Sequence, residues 1–359
     1  MLTTVSYKEQ TEPPVQTYAE EENEVILNED IIVKQHPINR AKYLLNTDAI
    51  MELHDMMLEK IDIGTQGVIV YGSAFVGKSH AMRAIEKSFK DKMSDKFVTV
   101  RLVLANRNYS YREFFQHFAE KIGGPKVSKT ASNERLISNI VSRLVHMARQ
   151  HNDTIVLILD EADSLQVSHY SHVKHLYNLL EDEGVKMFTF LVGTNELVEN
   201  RNAFKEEGDA GDQIVRRFMQ ETYHFSGIKN IEELHYIMSG YDTQVYEGRT
   251  FTEFFFPEAY AKGARFADMA GEMLAAMLEV SGLRNIPEVP MGEFTRLVNA
   301  VFVFFGKYST KTDGIGHSLK RDWIGKEEFK KVMLMLKFDE KLAELYVGGS
   351  KSREEEVLR

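Results

Sequence analysis

The chain has 359 residues, of which 43% are hydrophobic and 11% aromatic, enough for a packed core in one large or two ordinary domains. It contains no cysteine, which excludes disulfides, zinc–thiolate sites and thiol nucleophiles and favours an intracellular location. Its first residues show no signal-peptide pattern, and no uncharged apolar run approaches the ~20 residues of a membrane-spanning helix.

The acidic residues are unevenly distributed along the chain. The net charge is −10, yet residues 1–30 contain eight acidic side chains and one lysine, so the other 329 residues share a charge of −3. We interpret residues 1–30 as an acidic flexible arm, either a docking segment for a partner or a solvated tail. The nearly neutral remainder leaves nucleic-acid binding open.

An amphipathic helix is predicted before the first strand. Thr47 or Asp48 is a suitable N-cap, and apolar residues recur at helical spacing from Ile50 to Ile61.

A glycine-rich loop follows the next predicted strand. Residues 67–70 are an apolar strand, residues 72–79 have the pattern G-x-x-x-x-G-K-[ST], and a helix follows. The glycines allow backbone N–H groups to face phosphate oxygens, and the helix N-terminus adds positive charge. Lys78 supplies a cation for the β- and γ-phosphates and Ser79 a hard oxygen for Mg²⁺. The predicted nucleotide-binding residues here are Gly72, Ser73, Ala74, Phe75, Val76, Gly77, Lys78, Ser79 and His80.

Two other features bear on nucleotide binding. The segment 38–45, which precedes the loop in the chain, is predicted to line the pocket for the nucleotide base. Phe75 is bulky for such a loop and is expected to affect nucleotide affinity.

A second buried strand, residues 97–104, leads into a basic and aromatic segment. After a predicted helix at 113–122, a loop at 123–130 adds further lysines. These side chains form either a strip that follows DNA phosphates or ordinary solvated surface charge. The candidate residues are Arg107, Arg112, Lys126 and Lys129.

Two adjacent carboxylates end the third strand. After an amphipathic helix at 134–150, the apolar run 154–159 predicts a central parallel strand, followed by Asp160 and Glu161. Ligands bind at such strand ends in open α/β sheets. We expect Asp160 and Ser79 to hold Mg²⁺, and Glu161 to orient or deprotonate the water that attacks the γ-phosphate of ATP.

A fourth strand, residues 187–192, ends before Thr194 and Asn195, either of which is a candidate to contact the γ-phosphate or the water. Residues 201–212 are predicted as a surface loop. Arg216 and Arg217 follow it, before a strand at 221–225. They favour an arginine finger that acts on a neighbouring subunit, with Arg217 ahead of Arg216, although an internal salt bridge is the alternative.

The pattern becomes helical after residue 230. Helices are predicted at 231–238, 259–280, 292–305 and 326–345, with a loop at 306–322 and a polar tail at 346–359. The phenylalanines between 251 and 256 are expected in the core. Arg296, with Arg284 as its competitor, is a candidate to contact the nucleotide from this half of the chain, and an ordinary surface position is the alternative for both. The predicted domains are 31–228, an α/β nucleotide-binding domain, and 229–345, a helical lid.

Four segments together resemble a known family. GSAFVGKS, LILDEADSL, FLVGTNEL and QIVRRF are similar to motifs of the AAA+ transposition regulators TnsC, TniB, IstB and MuB, and most similar to the compact TnsC proteins of CRISPR-associated transposons. The resemblance covers roughly residues 40–305. It implies an α/β P-loop AAA+ core, with a parallel sheet sandwiched by helices, followed by a small α-helical lid.

The resemblance also implies a function. Such proteins bind ATP and Mg²⁺, form rings or helical filaments on double-stranded DNA through backbone contacts, and serve a transposase and a targeting protein. Asp160 and Glu161 then match the Walker B pair, Thr194 the sensor-1 segment and Arg217 the finger, while Arg107, Lys126, Lys129 and Thr130 match the DNA-facing elements. A cytoplasmic, nucleoid-associated prokaryotic protein without membrane contact is expected. The alternatives are another AAA+ DNA protein, such as an initiator or helicase loader, and a P-loop signalling switch without DNA.

Overall fold

The computed structural model describes residues 31–104, 109–123, 132–285, 288–313, 315–338 and 340–341. The acidic arm, the polar tail and four of the predicted DNA contacts lie outside the described residues: Arg107, Lys126, Lys129 and Thr130.

Five parallel strands form the central sheet in the order β2-β3-β4-β1-β5. The strands are β1 Gly67–Tyr71, β2 Val98–Val103, β3 Thr154–Asp160, β4 Lys186–Gly193 and β5 Glu221–His224. All seven residues of β3 are buried, as expected for a central strand covered on both faces. Tyr71 pairs with Gly193, and Asp160 pairs with Val192, so the phosphate loop and the paired carboxylates leave the same edge of the sheet on either side of β4.

Helices cover the sheet and build a second, helical half. A 3₁₀ turn, Ala162–Ser164, follows β3, another, Ala267–Met269, precedes α12, and a short hairpin pairs β6 Val245–Tyr246 with β7 Arg249–Thr250. The α-helices are α1 Pro37–Arg40, α2 Asp48–Ile63, α3 Lys78–Lys92, α4 Tyr111–Lys121, α5 Asn133–Ala148, α6 Val167–Asp182, α7 Glu196–Glu206, α8 Asp209–Phe218, α9 Ile231–Thr243, α10 Phe251–Phe255, α11 Pro257–Ala261, α12 Ala270–Ser281, α13 Met291–Phe305 and α14 Lys326–Met335.

The surface loop predicted at 201–212 is wrong, because all of these residues except 207 and 208 are helical. They lie in α7 and α8, which meet at Gly208, whose φ of 78° turns the chain between them. The charges at residues 205–207 hid the helical pattern, although Leu197 and Phe204 are buried on one face of α7. Gly211 allows the close approach of the two helices, because a Cβ there would lie 1.9 Å from the carbonyl oxygen of Phe204.

The start of the first strand contacts the end of α8. A Cβ on Gly67 would lie 2.3 Å from the carbonyl carbon of Phe218, so the two backbones touch at a position where only glycine fits.

The helical half, here called the lid, has its own apolar cluster. The phenylalanines Phe251, Phe254, Phe255 and Phe256 are buried in it, as predicted. The single helix predicted at 259–280 is wrong: α11 ends at Ala261, Gly263 has a φ of 95°, and α12 begins at Ala270. The helix predicted at 326–345 ends earlier, at Met335.

Both flanks of the helical region join the lid cluster. Ile38 and Leu45 pack into it from the N-terminal side, and Leu319, Ile324 and Phe329 pack into it from the C-terminal side. The division of the chain into domains 31–228 and 229–345 stays a prediction.

Candidate nucleotide-binding site

A cavity of about 610 Å³ lies where the carboxyl edge of the sheet meets the lid. The loop after β1, the end of β3, the end of β4, the segment before α2 and the first turns of α13 surround it. Its walls are formed by Ala41, Tyr43, Leu44, Leu45, Thr47, Ile50, Ala74, Phe75, Val76, Gly77, Lys78, Ser79, His80, Leu104, Asp160, Glu161, Asp163, Ser164, Gly193, Thr194, Phe225, Met291, Gly292, Thr295 and Asn299. Most of the predicted nucleotide-binding residues therefore share one cavity.

The phosphate loop has a compact backbone that depends on its glycines. A Cβ on Gly72 would lie 2.3 Å from the carbonyl oxygen of Phe225, and Gly77 has a φ of 111°. Helix α3 begins at Lys78, directly after the loop. The free N–H groups of its first turn and its positive end suit an anion at this position.

Lys78 is held against the loop. Its Nζ donates to the carbonyl oxygens of Gly72, at 2.7 Å, and of Ser73, at 2.8 Å. Burial lowers the pKa of Lys78, whereas the nearby carboxylates, Asp163 first, oppose that shift. The side chain is therefore a half-buried donor positioned beside the carbonyls of its own loop.

Ser79 and Asp160 form a pair of hard oxygen groups. The Ser79 hydroxyl donates to Oδ1 of Asp160 at 3.2 Å, and the Asp160 side chain is only 3% exposed. No group of three or more His, Asp or Glu side chains in the described part of the chain is arranged to hold a metal ion alone. The pair fits Mg²⁺, which commonly binds through one or two protein oxygens together with water and nucleotide phosphates.

An arginine that we did not predict contacts the other carboxylate oxygen. Arg101 lies in the middle of β2 and donates from Nη1 to Oδ2 of Asp160 at 2.8 Å. Its Nε donates to Oε2 of Glu86, on α3, at 2.9 Å. The available signal was a charged residue inside the otherwise apolar run Val98–Val103, where a buried cation requires a partner.

Glu161 lies at the cavity in an uncommon backbone conformation. Its φ is 62° and its ψ is 36°, a left-handed conformation that costs energy for a residue other than glycine. The residue is exposed, and its carboxylate makes no hydrogen bond or ion pair within the described residues. It is therefore available to accept a proton from a bound water.

Thr194 also lines the cavity, next to Asp163. Its Oγ1 donates to Oδ2 of Asp163 at 2.7 Å, and its backbone N–H donates to the same oxygen at 3.3 Å. Asn195, the other candidate, does not line the cavity. Asp163 was not predicted as a site residue, although it lies two positions after Glu161.

The opposite end of the cavity is formed by the N-terminal segment and the lid. The hydroxyl of Tyr43 donates to Oδ1 of Asn299 at 2.6 Å and lies 2.8 Å from the hydroxyl of Tyr241. Burial raises the pKa of Tyr43, so the hydroxyl keeps its proton. Residues 41 and 43–45 line the cavity as part of the predicted segment 38–45, whereas Ile38 is buried in the lid cluster.

Arg296 is not on the cavity wall. Its Nη1 lies 3.8 Å from Oε2 of Glu293, its side chain is exposed, and Thr295 and Asn299 line the cavity in its place. Arg284 is exposed and does not line the cavity either. No local pattern distinguished Asn299, because its position depends on how α13 packs.

Phe75 connects the phosphate loop to the lid. Its carbonyl oxygen accepts from the N–H of Gly292 at 2.9 Å, and a Cβ on Gly292 would lie 3.0 Å from that oxygen. Its φ of 61° is left-handed, and its side chain is 76% exposed. The main chain of Phe75 therefore links the phosphate loop to α13. The structure does not explain why the side chain is aromatic, because the ring is largely exposed.

The two candidate finger arginines lie on α8, away from the cavity. Arg216 is 79% exposed and pairs with Asp212, one turn earlier, at 2.7 Å. Arg217 donates to Oδ1 of Asn178 at 2.6 Å, and its guanidinium carbon lies 4.4 Å from the centre of the Tyr177 ring. Neither arginine reaches the cavity of its own chain, so any action on a nucleotide requires a second subunit.

Arg112 is the one predicted DNA contact among the described residues. Its Nη1 donates to Oδ1 of Asn133 at 3.2 Å, which joins the first turn of α4 to the first turn of α5. The starts of these two helices are therefore in contact.

The sheet order, the phosphate loop and the paired carboxylates define the AAA+ P-loop fold. Residues 63–200 match the family model described as an AAA domain. A search of curated proteins found no match to this sequence. Within the described residues, no helix is both long enough and apolar enough to span a membrane.

Solved structures show a general likeness. Cdc6p from Pyrobaculum aerophilum is 15% identical, with a TM-score of 0.43 over 75% of this chain and 61% of that protein. The Orc1 protein of Aeropyrum pernix in complex with DNA is 11% identical, with a TM-score of 0.49 over 85% of this chain and 68% of that one. Drosophila ORC bound to DNA is 12% identical, with a TM-score of 0.45 over 67% and 56%. This chain spans less than two-thirds of the Pyrobaculum protein, and at these scores the likeness supports no argument about function.

Proposed function

We propose that this chain is an ATP-dependent AAA+ regulator of DNA transposition, which oligomerises on duplex DNA, marks a target site, and recruits and activates a transposase. The observation that supports the nucleotide chemistry is the convergence of Lys78, the Ser79–Asp160 pair and Glu161 on one cavity. The transposition role is supported by the resemblance of the four sequence motifs to the TnsC group.

In this proposal, each residue at the phosphate end has a separate task. Lys78 and the N–H groups of the loop bind the phosphates, and Ser79 and Asp160 hold the metal ion. Bound Mg²⁺ supplies positive charge that stabilises the phosphates during hydrolysis. The unpaired carboxylate of Glu161 accepts the proton of the attacking water, and the Thr194 hydroxyl, fixed by Asp163, orients that water.

Oligomerisation is supported by the position of the arginines. Among the described residues, no arginine lines the cavity, whereas α8 presents Arg216 and Arg217 at the surface. In an assembly, Arg217 of one subunit would reach the γ-phosphate held by its neighbour. Such a guanidinium stabilises the charge that develops in the transition state.

DNA binding is proposed for the surface around Arg112. Arg112 contacts Asn133, and the predicted residues Arg107, Lys126 and Lys129 lie close to these two residues in the sequence. Arginine and lysine side chains suit the evenly spaced phosphates of a duplex, and such contacts do not depend on base sequence.

The test is binding of random-sequence duplex DNA, with and without a slowly hydrolysed ATP analogue, at several salt concentrations. We expect binding that requires the analogue and weakens steeply with salt. The double variant Lys126→Ala/Lys129→Ala should reduce the slope of log affinity against log salt by about 2, because each lost phosphate contact removes roughly 0.9. The matched control is Lys186→Ala/Lys205→Ala, which removes two exposed lysines elsewhere.

Absence of analogue-dependent duplex binding at low salt contradicts this proposal and supports a signalling switch without DNA. An equal loss of slope in both double variants removes Lys126 and Lys129 from the proposed surface.

The transposition role has its own test. An insertion assay supplies the chain together with the transposase encoded nearest to it and a target plasmid. We expect insertion to depend on the chain and to fail with Lys78→Ala. Insertion that is independent of the chain, combined with intact DNA binding, supports an initiator or loader instead.

A further inference from the structure

The metal-binding carboxylate is held at both of its oxygens by protein groups. Oδ1 of Asp160 accepts from Ser79, and Oδ2 accepts from Arg101 at 2.8 Å. Ser79 belongs to the phosphate site, but Arg101 lies on β2 outside the nucleotide cavity and in none of the four motifs. The arrangement leaves only one carboxylate oxygen on the side of the nucleotide.

Arg101 is itself fixed from the other side. The side chains of Arg101 and Glu86 are each 11% exposed, and Nε of Arg101 donates to Oε2 of Glu86. Lys90 contacts the second oxygen, Oε1, of Glu86 at 2.7 Å. Burial alone would raise the pKa of Glu86, but hydrogen bonds from Lys90 and Arg101 hold it below its ordinary value.

The network joins two elements of the site through a planar group. Ser79, Glu86 and Lys90 lie on α3, Asp160 ends β3, and Arg101 on β2 connects them. A guanidinium offers its donors in a rigid fork and can bond two carboxylates at once, whereas an amine cannot hold both in the same geometry.

We propose that Arg101 is a positioning residue for the metal site: by holding Oδ2 of Asp160, it directs Oδ1 toward Ser79 and the Mg²⁺ that accompanies the nucleotide. The proposal rests on the proposed nucleotide function and deepens it. Groups that orient a metal ligand from outside typically change metal affinity by about 10–100-fold when they are removed.

A purely electrostatic role for Arg101 predicts the opposite change in Mg²⁺ affinity when Arg101 is removed. A cation next to Asp160 repels Mg²⁺, so its removal would strengthen Mg²⁺ binding. If Arg101 instead positions Asp160, its removal weakens Mg²⁺ binding. The direction of the change in Mg²⁺ affinity therefore separates the two roles.

The experiment measures the affinity of the full chain for a fluorescent ATP analogue while Mg²⁺ is raised from zero in chelator-buffered solution. The variants are Arg101→Met and Arg101→Lys, with Lys90→Met as the matched control, because Lys90 contacts Glu86 but not Asp160. We expect the half-saturating Mg²⁺ concentration to rise about tenfold in Arg101→Met. It should rise in the same direction in Arg101→Lys and stay within about twofold in Lys90→Met, which leaves the Arg101–Asp160 contact in place.

An unchanged or lower half-saturating Mg²⁺ concentration in Arg101→Met overturns the proposal, and so does full recovery in Arg101→Lys. Circular dichroism and analogue binding without Mg²⁺ show whether each variant is folded. If Arg101→Met fails to fold, the sign of the change in Arg101→Lys decides. A wild-type chain that binds no analogue at any Mg²⁺ concentration overturns the nucleotide function as well, whereas normal wild-type binding with unaffected Arg101 variants removes only the positioning role.

Discussion

The α/β half and the lid contribute to the same cavity in different ways. In the α/β half, polar side chains form a connected series of contacts from Ser79 through Asp160 to Arg101, and Lys78 is held beside it by the carbonyls of the phosphate loop. The lid and the N-terminal segment contribute aromatic packing, with few polar groups at the cavity, mainly Tyr43, Thr295 and Asn299.

The two regions should therefore respond differently to substitution. Substitutions of the exposed groups at the phosphate end, such as Glu161, should change rates while leaving stability nearly unaltered, because these groups carry little packing. The buried ion pair between Asp160 and Arg101 is the exception, because loss of either partner leaves a buried charge. Substitutions in the lid should change stability first, because its buried side chains fill a closed core.

The largest effect is expected at Arg217, on the outer face of the α/β half. Arg217→Ala should lower ATP hydrolysis in the assembled state by at least about 10³-fold, the range found for arginine fingers that act between subunits. Hydrolysis is measured at concentrations above and below assembly, together with thermal unfolding. The control is Arg216→Ala, which removes a more exposed guanidinium on the same helix.

An equal loss of activity in the dilute monomer assigns Arg217 a structural role, through its contacts with Asn178 and Tyr177. A larger effect from Arg216→Ala would exchange the roles of the two arginines.

Glu161→Gln should slow hydrolysis by about 10²-fold or more, because the amide cannot accept a proton from water. Binding of the ATP analogue and assembly should remain, since the substitution keeps the size of the side chain. Single-turnover hydrolysis and equilibrium binding are measured on the same preparation. Unchanged hydrolysis removes Glu161 from its proposed role.

The lid should respond to acid through His36. Its ring is fully buried among Tyr246, Phe251, Phe254 and Phe255, and burial lowers its pKa from 6.5 to about 4. Below pH 6.5 the unfolded chain therefore binds a proton that the folded chain excludes, and stability falls as the pH falls. At pH 4 the loss from this residue is about 3 kcal/mol, since each tenfold change in proton affinity is worth about 1.4 kcal/mol.

The measurement is denaturant unfolding of the wild type and His36→Asn at pH 7 and pH 4. Asparagine keeps a polar acceptor for the N–H of Ile38, which Nδ1 of His36 caps in the wild type, but it does not titrate. The wild type should lose more stability than the variant between the two pH values. Equal losses would show that the acid sensitivity arises elsewhere.

The sequence predicted the two halves of the cavity to different extents. The phosphate loop, Asp160 and Glu161 were predicted from contiguous motifs. Each motif directly follows an apolar strand, and the strand determines at which edge of the sheet these residues lie. The five-stranded parallel sheet and the buried phenylalanines are confirmed.

The contacts that the sequence did not predict join residues that are far apart in the chain. Tyr43 and Asn299 are 256 positions apart and meet only after α13 packs. Arg101 contacts Asp160 across neighbouring strands, 59 positions away. Residues 201–212 were misread because their charges lie on the exposed faces of two short helices, where local composition resembles a loop.

The glycine at the start of β1 has a mechanical consequence. Gly67 touches the backbone of Phe218, next to Arg217, and the same strand ends at the phosphate loop. Five residues of strand span roughly 16 Å, so β1 rigidly connects the end of α8, which carries the proposed finger arginine, to the proposed phosphate-binding loop. In the proposed assembly, a displacement of α8 by a neighbouring subunit would therefore be transmitted to the loop through a single strand.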